Sequence, residues 1–212
     1  MTGPQSLTIL DHPVPRGTHM CVFFSGPAER DQIVMPFLAE GIRAGQKCIC
    51  ILESPGPAEV LERLGQRVDL GRSVETGQLE LGTPAGAYLR SGTFSTDDML
   101  SYWEQAAAEA RSAGGSGLTR AAGEMPSVLD HPDGRREFFR YEARLTGFIA
   151  GFPQVILCLY DLQRWGAGVL MDTLRTHAMV LVDGVVHDNP YYIDPGEFLR
   201  GTEVSSGGHT GP

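Results

Sequence analysis

Apolar and polar positions along the chain follow two periods, one typical of strands and one typical of helices. The first clear segment is an apolar run over residues 19–24, and a helical pattern over residues 27–45 follows it directly. An apolar run without strict alternation is typical of a strand that helices cover on both faces. Proline is favoured at the first helical position and glycine just after the last, so Pro27 and Gly45 mark the two ends. The pattern therefore predicts a strand, a tight turn and a helix.

The same order repeats along the chain. Further strands are predicted at residues 47–53, 78–81, 117–123, 155–160 and 179–182, and further helices at residues 58–64, 96–113, 133–149 and 167–176. Strands that alternate with helices favour a parallel sheet with crossover helices. We therefore predict an α/β fold of three layers, with a mostly parallel central sheet and helices on both faces.

The ends of the chain are less regular. Residues 1–17 are predicted to form an N-terminal extension, in which the apolar patch 7–10 either adds an edge strand or lies over the surface. A turn at Asp183 and Gly184 would pair residues 185–186 with the preceding strand. Residues 18–198 then form one domain, and the polar, glycine-rich segment 199–212 is predicted to be a disordered tail.

Composition and charge narrow the classes of partner. The formal net charge is -9 and the pI is about 5.1, which disfavours direct binding to nucleic acid because such binding needs clustered lysines and arginines. We find no apolar run of the roughly 20 residues that cross a bilayer, and no leader pattern at the amino terminus. We therefore expect a soluble, cytoplasmic protein with no membrane contact.

The turn after the first strand occupies the position where a phosphate-binding loop lies in many α/β proteins. It reads S-G-P-A-E-R-D over residues 25–31, without the lysine and the hydroxyl of the P-loop pattern. Glu29 and Asp31 place negative charge where a bound anion would lie. The sequence therefore predicts the scaffold of a nucleotide-binding domain that does not hydrolyse ATP.

Candidate ligand-binding residues stand at the carboxyl ends of the predicted strands, where ligands collect in open α/β sheets. They are Ser25, Gly26, Glu53, Ser54, Glu124, Tyr160 and Asp161, together with Arg120 on the strand that leads to Glu124. Three carboxylates in one crevice need a cationic partner or large pKa shifts. Arg120 could neutralise one of them, and Tyr160 could form a hydrogen-bonding wall. Two interpretations stay open: a small, partly polar pocket, or carboxylates that cap helices and pair with arginines.

Histidines and cysteines supply a second set of candidates. His19 and His177 lie at the amino ends of their predicted strands, and adjacent strands would bring the two rings together as a pH-responsive pair. The sequence places no third ligand beside them, so we predict no metal site, and the residues identify no cofactor. All four cysteines fall in predicted strands, which favours buried thiols over zinc or redox motifs: Cys21, Cys48, Cys50 and Cys158.

The order of several short stretches resembles the MEDS domain, a sensory domain of methanogen and methylotroph regulators. The stretches are H-M-C-V-F-F at 19–24, F-L-A-E-G-I-R-A-G-Q at 37–46, R-A-A-G-E-M at 120–125, F-F-R-Y-E-A-R-L at 138–145, L-C-L-Y-D at 157–161, and His177 with N-P-Y-Y at 189–192. This resemblance covers residues 19 to about 193. It implies a fold related to the RecA/KaiC-like P-loop domains and a role in signalling or transcriptional regulation.

Three functions are consistent with these observations. The first is a non-enzymatic sensory domain that binds a small-molecule signal or a regulatory protein at the carboxyl edge of the sheet. The second is nucleotide binding without turnover, through the backbone amides of residues 26–29. The third is a pure interaction module, in which the arginine-rich helix 135–144 or the segment 189–192 binds a sigma-factor or kinase regulator, or a second copy of the chain.

Overall fold

The computed structural model describes residues 7–112 and 116–204. Seven strands form the central sheet: β3 (Thr18–Phe24), β4 (Lys47–Ile51), β5 (Leu79–Gly82), β6 (Thr119–Glu124), β7 (Gln154–Asp161), β8 (Met179–Val182) and β9 (Val185–Asp188). Their spatial order is β5-β4-β6-β7-β3-β8-β9, and every neighbouring pair is parallel except β8 and β9. The predicted mostly parallel sheet is confirmed.

Helices cover both faces of this sheet and complete the three layers. They are α1 (Pro27–Arg43), α2 (Pro57–Gly65), α3 (Pro84–Tyr88), α4 (Thr96–Ser112), α5 (Pro132–Ile149), α6 (Ala167–Thr176) and α7 (Pro195–Val204), with a 3₁₀ turn at Ser127–Asp130. Side chains of alternate strand residues enter two separate apolar cores. Met20, Val22 and Phe24 of β3 lie in the core beneath α1, whereas Cys21 and Phe23 lie in the core beneath α4 and α5.

The predicted pairing at the far edge is confirmed. β8 and β9 are antiparallel and are joined by Asp183 and Gly184, whose φ angles are +50° and +74°. Positive φ at both central residues matches the right-handed twist of the flanking strands. This hairpin ends the sheet with an antiparallel edge strand.

Two segments near the ends of the described chain have regular structure that the sequence pattern left open or did not predict. β1 (Leu7–Ile9) and β2 (His12–Val14) form a separate two-stranded sheet rather than an edge of the main sheet, and the side chains of Leu7, Ile9 and Val14 are buried in the core beneath α1. At the other end, α7 extends into the segment that was predicted as a tail from residue 199. The prediction of disorder over residues 205–212 lies outside the described residues, as does the predicted helix stop at residues 114–115.

Candidate functional site

A small crevice opens at the carboxyl ends of the central strands, as expected for an open α/β sheet. Its volume is about 180 Å³, and Glu53, Ser54, Glu124 and Asp161 line it as the sequence predicted. The Glu124 carboxylate accepts a hydrogen bond of 2.6 Å from the backbone N–H of Glu53. The ends of β4, β6 and β7 therefore meet at one site.

Arg30 of α1 neutralises the negative charge in this crevice. Its guanidinium lies 2.6 Å from Glu124 Oε1 and 2.8 Å from Asp31 Oδ1, and it also donates to the carbonyl of Ser54. The Arg30 side chain is 2% exposed, while the two carboxylates are 15% and 13% exposed. Pairing of carboxylates with an arginine is thus confirmed for Glu124, although the arginine is not the predicted one.

The loop at the start of α1 binds carboxylates of its own chain. The backbone N–H of Ser25 donates to Glu29 Oε2 at 2.8 Å, and that of Gly26 donates to Asp161 Oδ1 at 3.3 Å. Gly26 has a φ of +80°, which glycine adopts at little cost. Ser25 and Gly26 border the crevice without lining it. Two amides that could bind an anion are therefore already occupied by Glu29 and Asp161.

Arg120 does not reach the crevice, so the expectation that it neutralises one of the carboxylates there is wrong. It is the second residue of β6, and four residues of extended strand separate it from Glu124 by about 13 Å. Its guanidinium donates to Glu40 Oε2 at 3.0 Å and to Gln46 Oε1 at 2.5 Å, and it lies over the ring of Phe37. Arg120 is a buried structural cation beneath α1.

Tyr160 is also absent from the crevice, so it does not form the predicted wall. Neighbouring strand residues point to opposite faces of a sheet, and Asp161 enters the crevice on the side of α1. Tyr160 faces the opposite core, where its ring packs edge-on against His177 with 6.2 Å between the ring centroids. The crevice is lined instead by Met125, Arg164 and Trp165.

A second cluster of polar side chains lies beneath α5, on the other face of the sheet. β3 and β8 are adjacent, and the rings of His19 and His177 lie 4.2 Å apart, so the conditional prediction that they approach is confirmed. Glu142 of α5 places Oε2 3.1 Å from His19 Nε2 and 3.0 Å from His177 Nε2. Cys158 of β7 places Sγ 3.2 Å from His19 Nε2. All four side chains are buried.

Burial sets the protonation states in this cluster. Burial and the neighbouring charge of His177 lower the pKa of His19 to about 4. Burial alone would raise the pKa of Glu142, but the adjacent imidazoles of His177 and His19 outweigh burial and lower that pKa to about 2. Burial and the Glu142 charge raise the pKa of the Cys158 thiol far above its usual range. His19 is therefore neutral and Glu142 ionised near neutral pH.

Sequence reasoning missed Arg30 and Glu142, and the same pattern marks both. Arg30 lies three and four positions before the buried Ile33 and Val34, and Glu142 lies four positions after Phe138 and three before Leu145. Each is a charged residue within an apolar helical stripe. Such a residue must find a partner in the core, because an unpaired buried charge is strongly unfavourable.

Comparison with known proteins now identifies the family. Residues 18–178 match the MEthanogen/methylotroph, DcmR Sensory domain, abbreviated MEDS. The chain belongs to the MEDS family. The match begins at β3 and ends at the start of β8, so it contains the loop at Ser25 and all four side chains of the buried cluster.

The MEDS chain is also similar to one curated regulator. It is 28% identical over 161 residues to the transcriptional repressor DcmR of Methylorubrum extorquens, a match that covers 75% of this chain and 57% of DcmR. The chain thus spans little more than half the length of this relative.

Solved structures agree on the fold of the MEDS domain. A KaiC-like protein of Pyrococcus horikoshii gives a TM-score of 0.53 at 13% identity, covering 80% of this chain and 72% of its own. The flagellar accessory protein FlaH of Methanocaldococcus jannaschii gives 0.54 at 7% identity, covering 84% and 78%. These likenesses confirm the predicted RecA/KaiC-like fold. Across the described residues, no helix has both the length and the hydrophobicity to cross a membrane.

Proposed function

We propose that this MEDS domain is a non-catalytic sensor that binds a small molecule in the crevice at the carboxyl edge of the sheet. The observation that carries the proposal is the occupation of the loop amides of Ser25 and Gly26 by the carboxylates of Glu29 and Asp161. A triphosphate would have to displace both carboxylates from the position where P-loop proteins bind phosphate. The crevice itself has room for a few non-hydrogen atoms, because its volume is about 180 Å³.

The chemistry of the crevice favours a small ligand with both polar and apolar groups. Trp165, Met125 and Phe24 provide apolar walls, whereas Arg30, Glu124 and Asp161 provide charged groups that are already paired. A ligand with a strong charge of either sign would have to break these pairs. The similarity to a transcriptional repressor supports the further proposal that occupancy of the crevice is passed on to transcriptional control.

Thermal unfolding with defined ligands tests the proposal, because a ligand of the native state raises the unfolding midpoint. We expect no rise with Mg-ATP, Mg-ADP or a cyclic dinucleotide and no ATP hydrolysis. We expect a rise with at least one compound in a panel of small neutral alcohols and amides. Glu53→Trp, at the exposed rim of the crevice, should abolish that rise. The matched variant Glu62→Trp, on the exposed face of α2, should retain it. ATP hydrolysis that is lost on changing Glu124 would contradict the proposal.

A groove between α5, α6 and α7 supports a second candidate, an interaction module. Its volume is about 610 Å³, and Arg135, Arg136 and Arg175 line it beside the apolar side chains of Phe139 and Phe198. The three arginines outnumber the acidic side chains that also line the groove, Asp172 and Glu197, and this positive excess suits the acidic surface of a second copy of a chain of net charge -9. Light scattering tests this candidate. Arg136→Glu should dissociate a dimer of the chain. Arg72→Glu, at an exposed position in the turn before β5 and outside the groove, should leave the dimer intact. A wild-type chain that stays monomeric at all concentrations would reject this candidate.

A further inference from the structure

The buried cluster beneath α5 brings four metal-ligating side chains together from four separate elements. His19 comes from β3, Glu142 from α5, Cys158 from β7, and His177 from the end of α6 just before β8. Their ligating atoms all lie within 4.8 Å of one another. The distances from Glu142 Oε2 are 3.1 Å to His19 Nε2, 3.0 Å to His177 Nε2 and 3.5 Å to Cys158 Sγ. Four potential ligand atoms therefore surround one point.

Hydrogen bonds on the outer side of each ring fix the tautomers of the two histidines. His177 Nδ1 lies 2.8 Å from the carbonyl oxygen of Thr173, which can only accept, so Nδ1 carries the proton. His19 Nδ1 lies 2.8 Å from Thr146 Oγ1, and that hydroxyl donates its own proton to the carbonyl of Thr176 at 3.0 Å. His19 Nδ1 must therefore donate as well. The second nitrogen of each ring, Nε2, then points towards Glu142.

One nitrogen of this cluster lacks a hydrogen-bond partner. His177 Nε2 is buried and has none in the described part of the chain, although Glu142 Oε2 is 3.0 Å away. No arginine or lysine of the described residues pairs with Glu142. A metal ion between the four side chains would give this buried nitrogen a partner and the carboxylate a cation.

We propose that His19, Glu142, Cys158 and His177 bind one divalent transition-metal ion of the zinc class. Bonds of about 2.0 to 2.3 Å to nitrogen, oxygen and sulfur place neighbouring ligand atoms of a tetrahedron about 3.3 to 3.8 Å apart. Four of the six distances between the ligand atoms, 3.1 and 3.0 Å from Glu142 Oε2 to the two Nε2 atoms and 3.5 and 3.2 Å from Cys158 Sγ to Glu142 Oε2 and His19 Nε2, are close to these values, and all six are within 4.8 Å. Imidazole and thiolate ligands favour zinc over magnesium or calcium, which prefer oxygen ligands alone.

Binding balances the charge of the buried cluster. The metal ion takes the Cys158 sulfur as a thiolate, and the thiol proton leaves to solvent. One dication, one carboxylate and one thiolate then sum to zero. The N–H groups of His19 and His177 that donate to Thr146 and to the Thr173 carbonyl orient both rings, as outer partners do in known metal centres. The ion would join α5 and the end of α6 to the middle of the sheet.

Metal content of the full chain tests the proposal. The site is buried, so the protein is refolded with Zn²⁺ or with Co²⁺, freed of excess metal on a chelating column, and analysed by mass spectrometry of the elements. We expect about one ion per chain. Cys158→Ser and His177→Asn should lose the ion or bind it at least about 100-fold more weakly. Cys21→Ser should retain it, because Cys21 is a buried thiol on the neighbouring strand, in register with Cys158, that does not belong to the cluster.

Two measurements on the wild-type protein keep the test decisive even if a variant fails to fold. The Co²⁺-loaded protein should show the intense near-ultraviolet charge-transfer band of a cobalt–thiolate bond and the visible bands of a tetrahedral centre. Its unfolding midpoint should rise by about 5 to 10 °C when free metal exceeds the Kd about 100-fold. Absence of bound metal after refolding, a cobalt spectrum without the thiolate band, or full metal content in folded Cys158→Ser would each overturn the proposal. None of these results bears on binding in the crevice, which lies at the carboxyl edge of the sheet.

Discussion

Two glutamates, Glu124 and Glu142, have opposite surroundings in the fold. Glu124 lies at the open carboxyl edge, where Arg30 and the backbone N–H of Glu53 compensate its charge permanently. Glu142 lies fully inside the core beneath α5, where two imidazoles and a thiol surround it. An arginine is always charged, whereas an imidazole is a cation only when protonated. Glu124 at the edge therefore already has a permanent cationic partner, whereas the proposed metal ion would be the permanent cation beside Glu142 in the core cluster.

Removal of Arg30 should have the largest effect on stability. Arg30→Met leaves Glu124 without its arginine, whereas Asp31 keeps its pair with Arg63, and breaking a mostly buried ion pair typically destabilises by about 3 kcal/mol or more. Urea denaturation measures the change. The matched variant Arg72→Met, which breaks the exposed pair with Glu75, should change the free energy of unfolding by less than about 0.5 kcal/mol.

A double variant separates the charge from the shape of that pair. Glu124→Gln in the Arg30→Met background should recover about 1 to 2 kcal/mol, because the uncompensated carboxylate is gone. If the stability changes of the two single variants simply add in the double variant, Arg30 and Glu124 do not interact as strongly as the 2.6 Å between Arg30 Nη1 and Glu124 Oε1 indicates.

Arg120 is a third buried charge, and the chain around Gly41 packs tightly against its side chain. A Cβ atom on Gly41 would lie 2.6 Å from Cys48 Sγ and 2.9 Å from Arg120 Cδ. Gly41→Ala should therefore destabilise the protein by about 2 kcal/mol, despite the better helix propensity of alanine. Gly147→Ala in α5 is the matched control, since its Cβ would meet no atom within 4 Å. It should stabilise by about 0.5 to 1 kcal/mol in the same urea titration.

The smallest expected effect is at the loop before α1. Glu29→Gln weakens the hydrogen bond from the Ser25 amide and removes a negative charge from the first turn of α1, so stability should fall by about 0.5 kcal/mol. Glu62→Gln, in the exposed second half of α2, should leave the denaturation curve unchanged. Equal effects of the two variants would mean that the Ser25 contact is not made in solution.

The sequence predicts the framework better than it predicts the sites. The uninterrupted apolar runs of β3 and β7 are strong patterns because both faces of each strand are covered, and these strands lie side by side in the middle of the sheet. Weakly apolar segments such as α3 and α7 were missed, since short helices depend on tertiary contacts more than on their own pattern.

Side-chain partners depend on which strands become neighbours, and the local hydrophobic pattern of a strand does not predict the order of strands in the sheet. The proximity of His19 and His177 could be stated only conditionally, because it requires β3 to pair with β8. The error over Arg120 has a different origin, since residues on one strand were treated as neighbours although the rise of the strand separates them. Glu142 could have been found, because it interrupts an apolar stripe.

The small sheet formed by β1 and β2 changes where the minimal folding unit begins. The family match starts at residue 18, but Leu7 and Ile9 are buried in the core beneath α1, and the carbonyl of Thr8 accepts a hydrogen bond of 3.1 Å from Arg120. A fragment cut at the family boundary would expose that apolar surface and remove one of the three acceptors of Arg120 Nη1. Excision of the sensor for transplantation into another regulator should therefore retain residues 7–17.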